Sequence, residues 1–185
     1  ALCRGLRSLG KRAAILRNPQ FTPRFAPYLE GLVCDSIPEN ACVVSVDIAA
    51  DSLLPLVEGL PARWALGIDH HNHAELSAER LLQEPDKAAC GEIIFALLEQ
   101  MEVPMDKAMA EALYVAVSTD TGCFKYANVT ANTLRTAAEA RSSLSQTSRT
   151  RSKPLKTTSL EVPALSISIQ CDLPEASEDL PMNAL

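Results

Sequence analysis

The chain has only three histidines, no Cys-x-x-Cys pair, no excess of positive charge and no glycine beyond Gly122. Each absence removes a class of protein. Its six cysteines, Cys3, Cys34, Cys42, Cys90, Cys123 and Cys171, are irregularly spaced, which argues against a structural zinc cluster and a disulfide framework and favours a reducing, cytoplasmic setting. With 17 Lys and Arg against 23 Asp and Glu, the net charge is -6. That balance gives no general attraction to nucleic acid or anionic membranes, so no stable nucleic-acid complex is expected. No apolar run approaches the ~20 residues of a membrane-spanning helix, and the first residues have no hydrophobic signal core. A soluble protein without a membrane partner is predicted.

What is present is a chain of 185 residues, 47% of them apolar, enough to fill the core of one domain. Leu2, Leu6 and Leu9 share a helical face that ends at Gly10. Short apolar runs at Ala13 to Leu16, Ala41 to Val46 and Trp64 to Ile68 suit buried parallel strands. Between them, Phe25 to Leu32 reads as a helix and Asp51 to Val57, broken by Pro55, as a weak one. Ala89 to Met101 and Met105 to Val117 are the best helical segments. The alternation predicts a three-layer α/β domain with a mainly parallel sheet over residues 1–140. From Arg141 onward, 17 of 45 residues are Ser, Thr or Pro. Residues 141–185 are therefore read as an unstructured tail, with a minor alternative of an edge strand at Ala164 to Ile169.

All three histidines fall in Gly67-Ile68-Asp69-His70-His71-Asn72-His73, directly after a predicted strand. In an open parallel sheet, ligands collect beyond the carboxyl ends of the strands. Asp47 closes one strand and Asp69 to His71 close another, so these groups converge although 22 residues separate the two aspartates. Asp120, in Ser118-Thr119-Asp120-Thr121-Gly122, is a third candidate. Singly, each aspartate also suits a turn or a helix cap. Together, carboxylates with an imidazole suit manganese or magnesium better than a soft metal. Glu92 opens a helix, where a carboxylate complements the dipole, and a supporting role beside the site is the lesser reading. His73 reads as a surface or supporting imidazole, Cys123 as a packing thiol and Lys125 as a surface cation.

Val46-Asp47-Ile48-Ala49, Ile68-Asp69-His70-His71-Asn72 and Thr119-Asp120-Thr121-Gly122-Cys123-Phe124 resemble the second, third and fourth motifs of the DHH phosphoesterase superfamily. Phe124-Lys125-Tyr126-Ala127-Asn128-Val129-Thr130 is similar to its nanoRNase/pAp phosphatase branch. The resemblance covers roughly residues 1–140. It implies a two-manganese site at the carboxyl edge of the sheet, where a bridging hydroxide attacks a phosphoester. By the same resemblance, Asp47 bridges both ions, His70 and Asp120 complete one shell, Asp69 orients His70, and His71 faces the substrate phosphate. The implied substrates are short RNA or a nucleotide phosphate such as 3′-phosphoadenosine-5′-phosphate.

Two parts of the family pattern are missing. No His-x-x-x-Asp-x-Asp string precedes Ala1-Leu2-Cys3-Arg4-Gly5-Leu6, which looks like the helix after that first motif. No glycine-rich, histidine-containing substrate domain follows Cys123. The chain is therefore read as an N-terminally truncated fragment that holds at most one manganese or magnesium ion, with a tail that resembles a frameshifted continuation. Two alternatives stand beside the phosphoesterase: a catalytically silent remnant that binds one metal or a nucleotide, and an inorganic pyrophosphatase of the same superfamily. Oligomeric state is left open.

Overall fold

The computed structural model describes residues 1–55, 57–145 and 165–170. Helix α1 (Leu2–Ser8) leads into strand β1 (Arg12–Leu16), then a 3₁₀ turn at Pro23–Phe25 and the single helical turn α2 (Ala26–Leu29). Strands β2 (Val33–Cys34), β3 (Cys42–Val46), β4 (Leu66–Asp69) and β5 (Leu81–Gln83) follow. Helices α3 (Cys90–Gln100), α4 (Lys107–Asp120) and α5 (Ala131–Ser145) come next, and strand β6 (Leu165–Gln170) is the last described element. The helix expected over Phe25 to Leu32 stops at Leu29, where Glu30 turns extended and Gly31 takes a φ of 72°, a conformation that ends a helix. The weak helix expected from Asp51 is a 3₁₀ turn over Asp51–Leu53.

These elements make an α/β arrangement around one six-stranded sheet of order β2-β1-β6-β3-β4-β5. The pairs β1–β2, β3–β4 and β4–β5 are parallel, and β6 alone runs antiparallel, between β1 and β3. The sheet is thus mainly parallel, as expected. The strand considered for an edge at Ala164 to Ile169 lies instead at the centre, with Ile167 opposite both Ile15 and Val44. The expected tail is also entered by α5, which runs past Arg141 to Ser145. Its remainder, residues 146–164 and 171–185, lies outside the described residues.

Ile15, Val44, Val46 and Ile68 share one sheet face and pack with Leu2 and Cys3 of α1, Ile93, Phe95 and Leu98 of α3, and Met109 and Leu113 of α4. Burying side chains of this size contributes roughly 1.5–3 kcal/mol each before ordering entropy is counted. The alternate residues Val43 and Ser45 are buried too, so β3 is covered on both faces. This is why it reads as an unbroken apolar run rather than an alternation. Helix α5 adds a layer on α4, where Val117 and Ala137 meet. Among the described residues no helix is long and apolar enough to cross a membrane.

Candidate metal centre

Strand pairing brings the polar residues together. In the parallel β3–β4 ladder, Val46 registers with Ile68, and the Asp47 N–H donates to the Ile68 carbonyl at 2.8 Å. The residues just past each strand end, Asp47 on one side and His70 with His71 on the other, therefore share the carboxyl edge of the sheet. Asp47 has a φ of 63°, in the left-handed region that aspartate tolerates better than most residues. The backbone turns sharply there.

Donor atoms of Asp47, His70 and His71 lie within 4.8 Å of one another. His70 Nε2 is 3.5 Å from Asp47 Oδ1. Asp47 Oδ1 and Asp69 Oδ2 are buried and have no hydrogen-bond partner. A buried carboxylate oxygen left unpaired is costly unless something cationic meets it. The donor set, one carboxylate and two imidazoles, fits a divalent ion of the manganese or zinc type better than calcium.

Asp120, the last residue of α4, interacts electrostatically with Asp47 and His71 and accepts the backbone N–H of Cys90 at the start of α3. Its carboxyl oxygens fall outside the compact cluster of three. Burial, then the negative charge of Asp47, push its pKa up to about 7. Burial likewise raises Asp47, against the opposing pull of His70. The two carboxylates line a largely apolar cleft together with Phe21, Phe25, Tyr28, Leu29 and Leu113. Two desolvated like charges resist ionising together without a cation.

The histidines are oriented differently from the expectation that Asp69 would hold His70. Asp69, fully buried, accepts from the backbone N–H of His70 at 2.8 Å, but its side-chain partner is His71 Nδ1, at 2.7 Å. Burial alone lowers the His71 pKa, and the hydrogen bond and charge of Asp69 more than offset it, so the net shift is upward. His70 Nδ1 instead meets the Lys87 carbonyl at 3.1 Å. A backbone carbonyl from a loop 17 residues away leaves no mark in side-chain chemistry, which is why the sequence reading missed it. The His71 ring lies in the same cluster, 4.6 Å from the His70 ring centroid.

Among the other candidates, His73 and Lys125 are exposed and outside the cluster. Cys123 accepts from Ser118 Oγ at 3.4 Å in a turn where Gly122, Cys123 and Phe124 all have positive φ. Glu92 is buried and accepts from three donors, a far more specific environment than an exposed first-turn carboxylate.

No family model matches the chain. The bifunctional oligoribonuclease and PAP phosphatase NrnA of Thermus thermophilus is 32% identical over 141 residues, which are 75% of this chain and 43% of the relative. An uncharacterized protein of Methanocaldococcus jannaschii is 31% identical over 88 residues, 47% of this chain and 18% of that protein. The chain thus spans less than half the length of either relative. A solved structure of an exopolyphosphatase-related protein from Bacteroides fragilis shares the fold, with a TM-score of 0.53 at 21% identity, over 77% of this chain and 46% of that one. With the aspartate and histidine motifs in order along a homologous sequence, and the parallel strands carrying them to one sheet edge, the chain belongs to the DHH phosphoesterase family.

Proposed function

We propose that this chain carries part of the catalytic centre of a metal-dependent phosphoesterase that acts on short oligoribonucleotides or on 3′,5′-bisphosphorylated nucleosides. The observation that carries the reading is the convergence of Asp47, His70 and His71 at the sheet edge, with a buried Asp47 oxygen that accepts no hydrogen bond. The substrate class is supported by the relationship to the oligoribonuclease and PAP phosphatase of Thermus thermophilus. Manganese, with magnesium as a substitute, is the metal proposed on the oxygen and imidazole donor set. A reducing, cytoplasmic setting is proposed on the irregular spacing of the six cysteines and the lack of any Cys-x-x-Cys pair.

Asp47 and His70 of the cluster, joined by Asp120 from the end of α4, are proposed to hold the metal, while the third member of the cluster, His71, is proposed to face the substrate phosphate instead of the ion. A bound divalent ion supplies acidification of water and neutralisation of phosphoryl charge. The chain's own part is positional and electrostatic. Asp69 fixes the His71 ring through Nδ1 and favours its protonated form, so that Nε2 presents a proton toward a phosphate oxygen. Asp47 and Asp120 line a largely apolar cleft, and their burial strengthens their attraction for a cation.

A second reading, a one-metal or nucleotide-binding module without turnover, is favoured by one observation. The described residues hold a single three-donor cluster, whereas a bridged hydroxide needs two ions. Hydrolysis of a diribonucleotide, 3′-phosphoadenosine-5′-phosphate and inorganic pyrophosphate by the purified chain, with and without manganese, separates these readings. Manganese-dependent release from either nucleotide supports the phosphoesterase, and release from pyrophosphate alone favours a pyrophosphatase. Manganese binding without turnover supports the silent module. Absence of both rejects the metal centre.

A further inference from the structure

Glu92 lies in the first turn of α3, 1% exposed, and its carboxylate is fully engaged. Oε1 accepts from the Ala88 N–H at 3.0 Å and from Thr133 Oγ1 at 2.9 Å, while Oε2 accepts from Asn132 Nδ2 at 2.8 Å. The Ala88 N–H belongs to the same peptide unit as the Lys87 carbonyl that meets His70 Nδ1. A trans peptide is planar, with its N–H and C=O pointing in opposite directions. Holding the N–H toward Glu92 therefore aims the carbonyl away from it, toward the imidazole. Asn128 Nδ2 donates to the Ala88 carbonyl at 3.3 Å and steadies the next peptide.

We propose that Glu92 is a positioning residue for His70: through the Lys87–Ala88 peptide it holds the imidazole with its proton on Nδ1 and its Nε2 lone pair free toward Asp47. This inference rests on the metal-centre reading above for its consequence, although not for the hydrogen-bond relay itself. A carbonyl acceptor selects the Nδ1–H tautomer, and Nε2 is then the ligating atom. Because Asn132 and Thr133 belong to the first turn of α5, the same carboxylate ties the start of that helix to the centre. The relay also explains why a carboxylate is kept in a buried position. A methionine there would leave the Ala88 N–H, Thr133 hydroxyl and Asn132 amide to find other partners.

The test uses the full chain, with two readouts. The first is the His70 tautomer, read from long-range 1H–15N spectra of the imidazole without metal. The second is manganese affinity by calorimetry. Wild type is expected to show His70 protonated at Nδ1. Glu92→Met should mix the tautomers and weaken manganese binding by about 10- to 100-fold. Glu92→Gln should retain both properties, because its oxygen can still accept from Ala88 and Thr133 once the Asn132 amide turns over to accept from its NH2. Val103→Ala, a core truncation remote from the relay, controls for lost stability and should leave both readouts alone. If Glu92→Met does not fold, Thr133→Val removes one of the donors and is measured in the same way, with a smaller shift in the same direction. A His70 tautomer identical to wild type in every folded relay variant overturns the proposal. A wild type that binds no manganese but keeps the Nδ1 tautomer, lost in Glu92→Met, leaves the relay standing and refutes the metal-centre reading.

Discussion

His70 Nε2 and Asp47 Oδ1, carried by adjacent parallel strands, stand 3.5 Å apart with no proton-sharing geometry between them. Two ligands each ~2.1 Å from one six-coordinate ion at right angles are separated by about 3 Å. The pair is thus spaced for a cation, and a small inward movement completes it. Asp47→Asn is expected to lower manganese affinity at least about tenfold while the fold is kept, since asparagine also tolerates the left-handed backbone found there. Asp47→Val should lose stability as well, because a β-branched residue at that φ is strained. Calorimetry and thermal melts separate the two effects, and equal metal affinity in Asp47→Asn and wild type removes Asp47 from the centre.

Asp120 gives the site a pH dependence. A carboxyl raised to about 7 in the folded state binds its proton more tightly folded than unfolded. Without metal its contribution to stability is therefore largest below about 4, declines as pH rises toward 7 and is level above that. Asp120→Asn should flatten that decline and stabilise the metal-free protein at pH 8. Manganese must displace the same proton, so wild-type affinity should rise between pH 6 and 8 with proton release, and the slope should shrink in Asp120→Asn. Melting and titration series at matched ionic strength measure both. A melting profile with the same pH slope in wild type and variant would contradict the assignment.

The Asp69–His71 pair is predicted to set the charge of the imidazole that faces solvent. Because Asp69 raises the His71 pKa against burial, Asp69→Asn should bring it down, observable by NMR titration of the ring. An unchanged titration midpoint would mean that the 2.7 Å contact is not maintained in solution.

Gly122, two residues beyond Asp120, has a φ of 55°, and a Cβ placed there meets the Tyr126 ring at 2.5 Å. Tyr126 is half exposed and can swing away, so the backbone strain is the larger cost. Gly122→Ala is expected to destabilise the protein by about 1 kcal/mol. Denaturant unfolding measures it, and a stability equal to wild type would show that the turn relaxes elsewhere.

Much of this centre was legible in the sequence because its residues sit where apolar runs stop. Asp47 ends the run before it, Asp69 to His71 end another, and parallel pairing does the rest. Helix α5 carries a local signal in its first turn. Thr130 and Thr133 form a reciprocal cap, with the Thr133 N–H donating to Thr130 Oγ1 at 3.2 Å and the Thr130 N–H to Thr133 Oγ1 at 3.1 Å. Strand β6 was not legible in its true place. Leu165, Ile167 and Ile169 alternate with serines, a pattern that locally suits an edge. Its central position is decided by pairing with β1 and β3, which local pattern does not encode. The Glu92 relay was hidden for a similar reason, since it runs through main-chain atoms.

The central place of β6 has a consequence for how the molecule is made. Ile15 and Val44 both wait for Ile167, near the end of the chain, before the sheet halves β2-β1 and β3-β4-β5 are joined. Until β6 is made, the nascent chain therefore presents two open strand edges, and the contacts that close them join residues as far apart as Ile15 and Ile167. High contact order slows folding, and open edges invite pairing with other chains. Loss of the segment Leu165–Gln170 would not trim a dispensable strand. It would leave a cleft through the middle of the sheet and a molecule prone to aggregate before the edge that carries Asp47 and His70 could assemble.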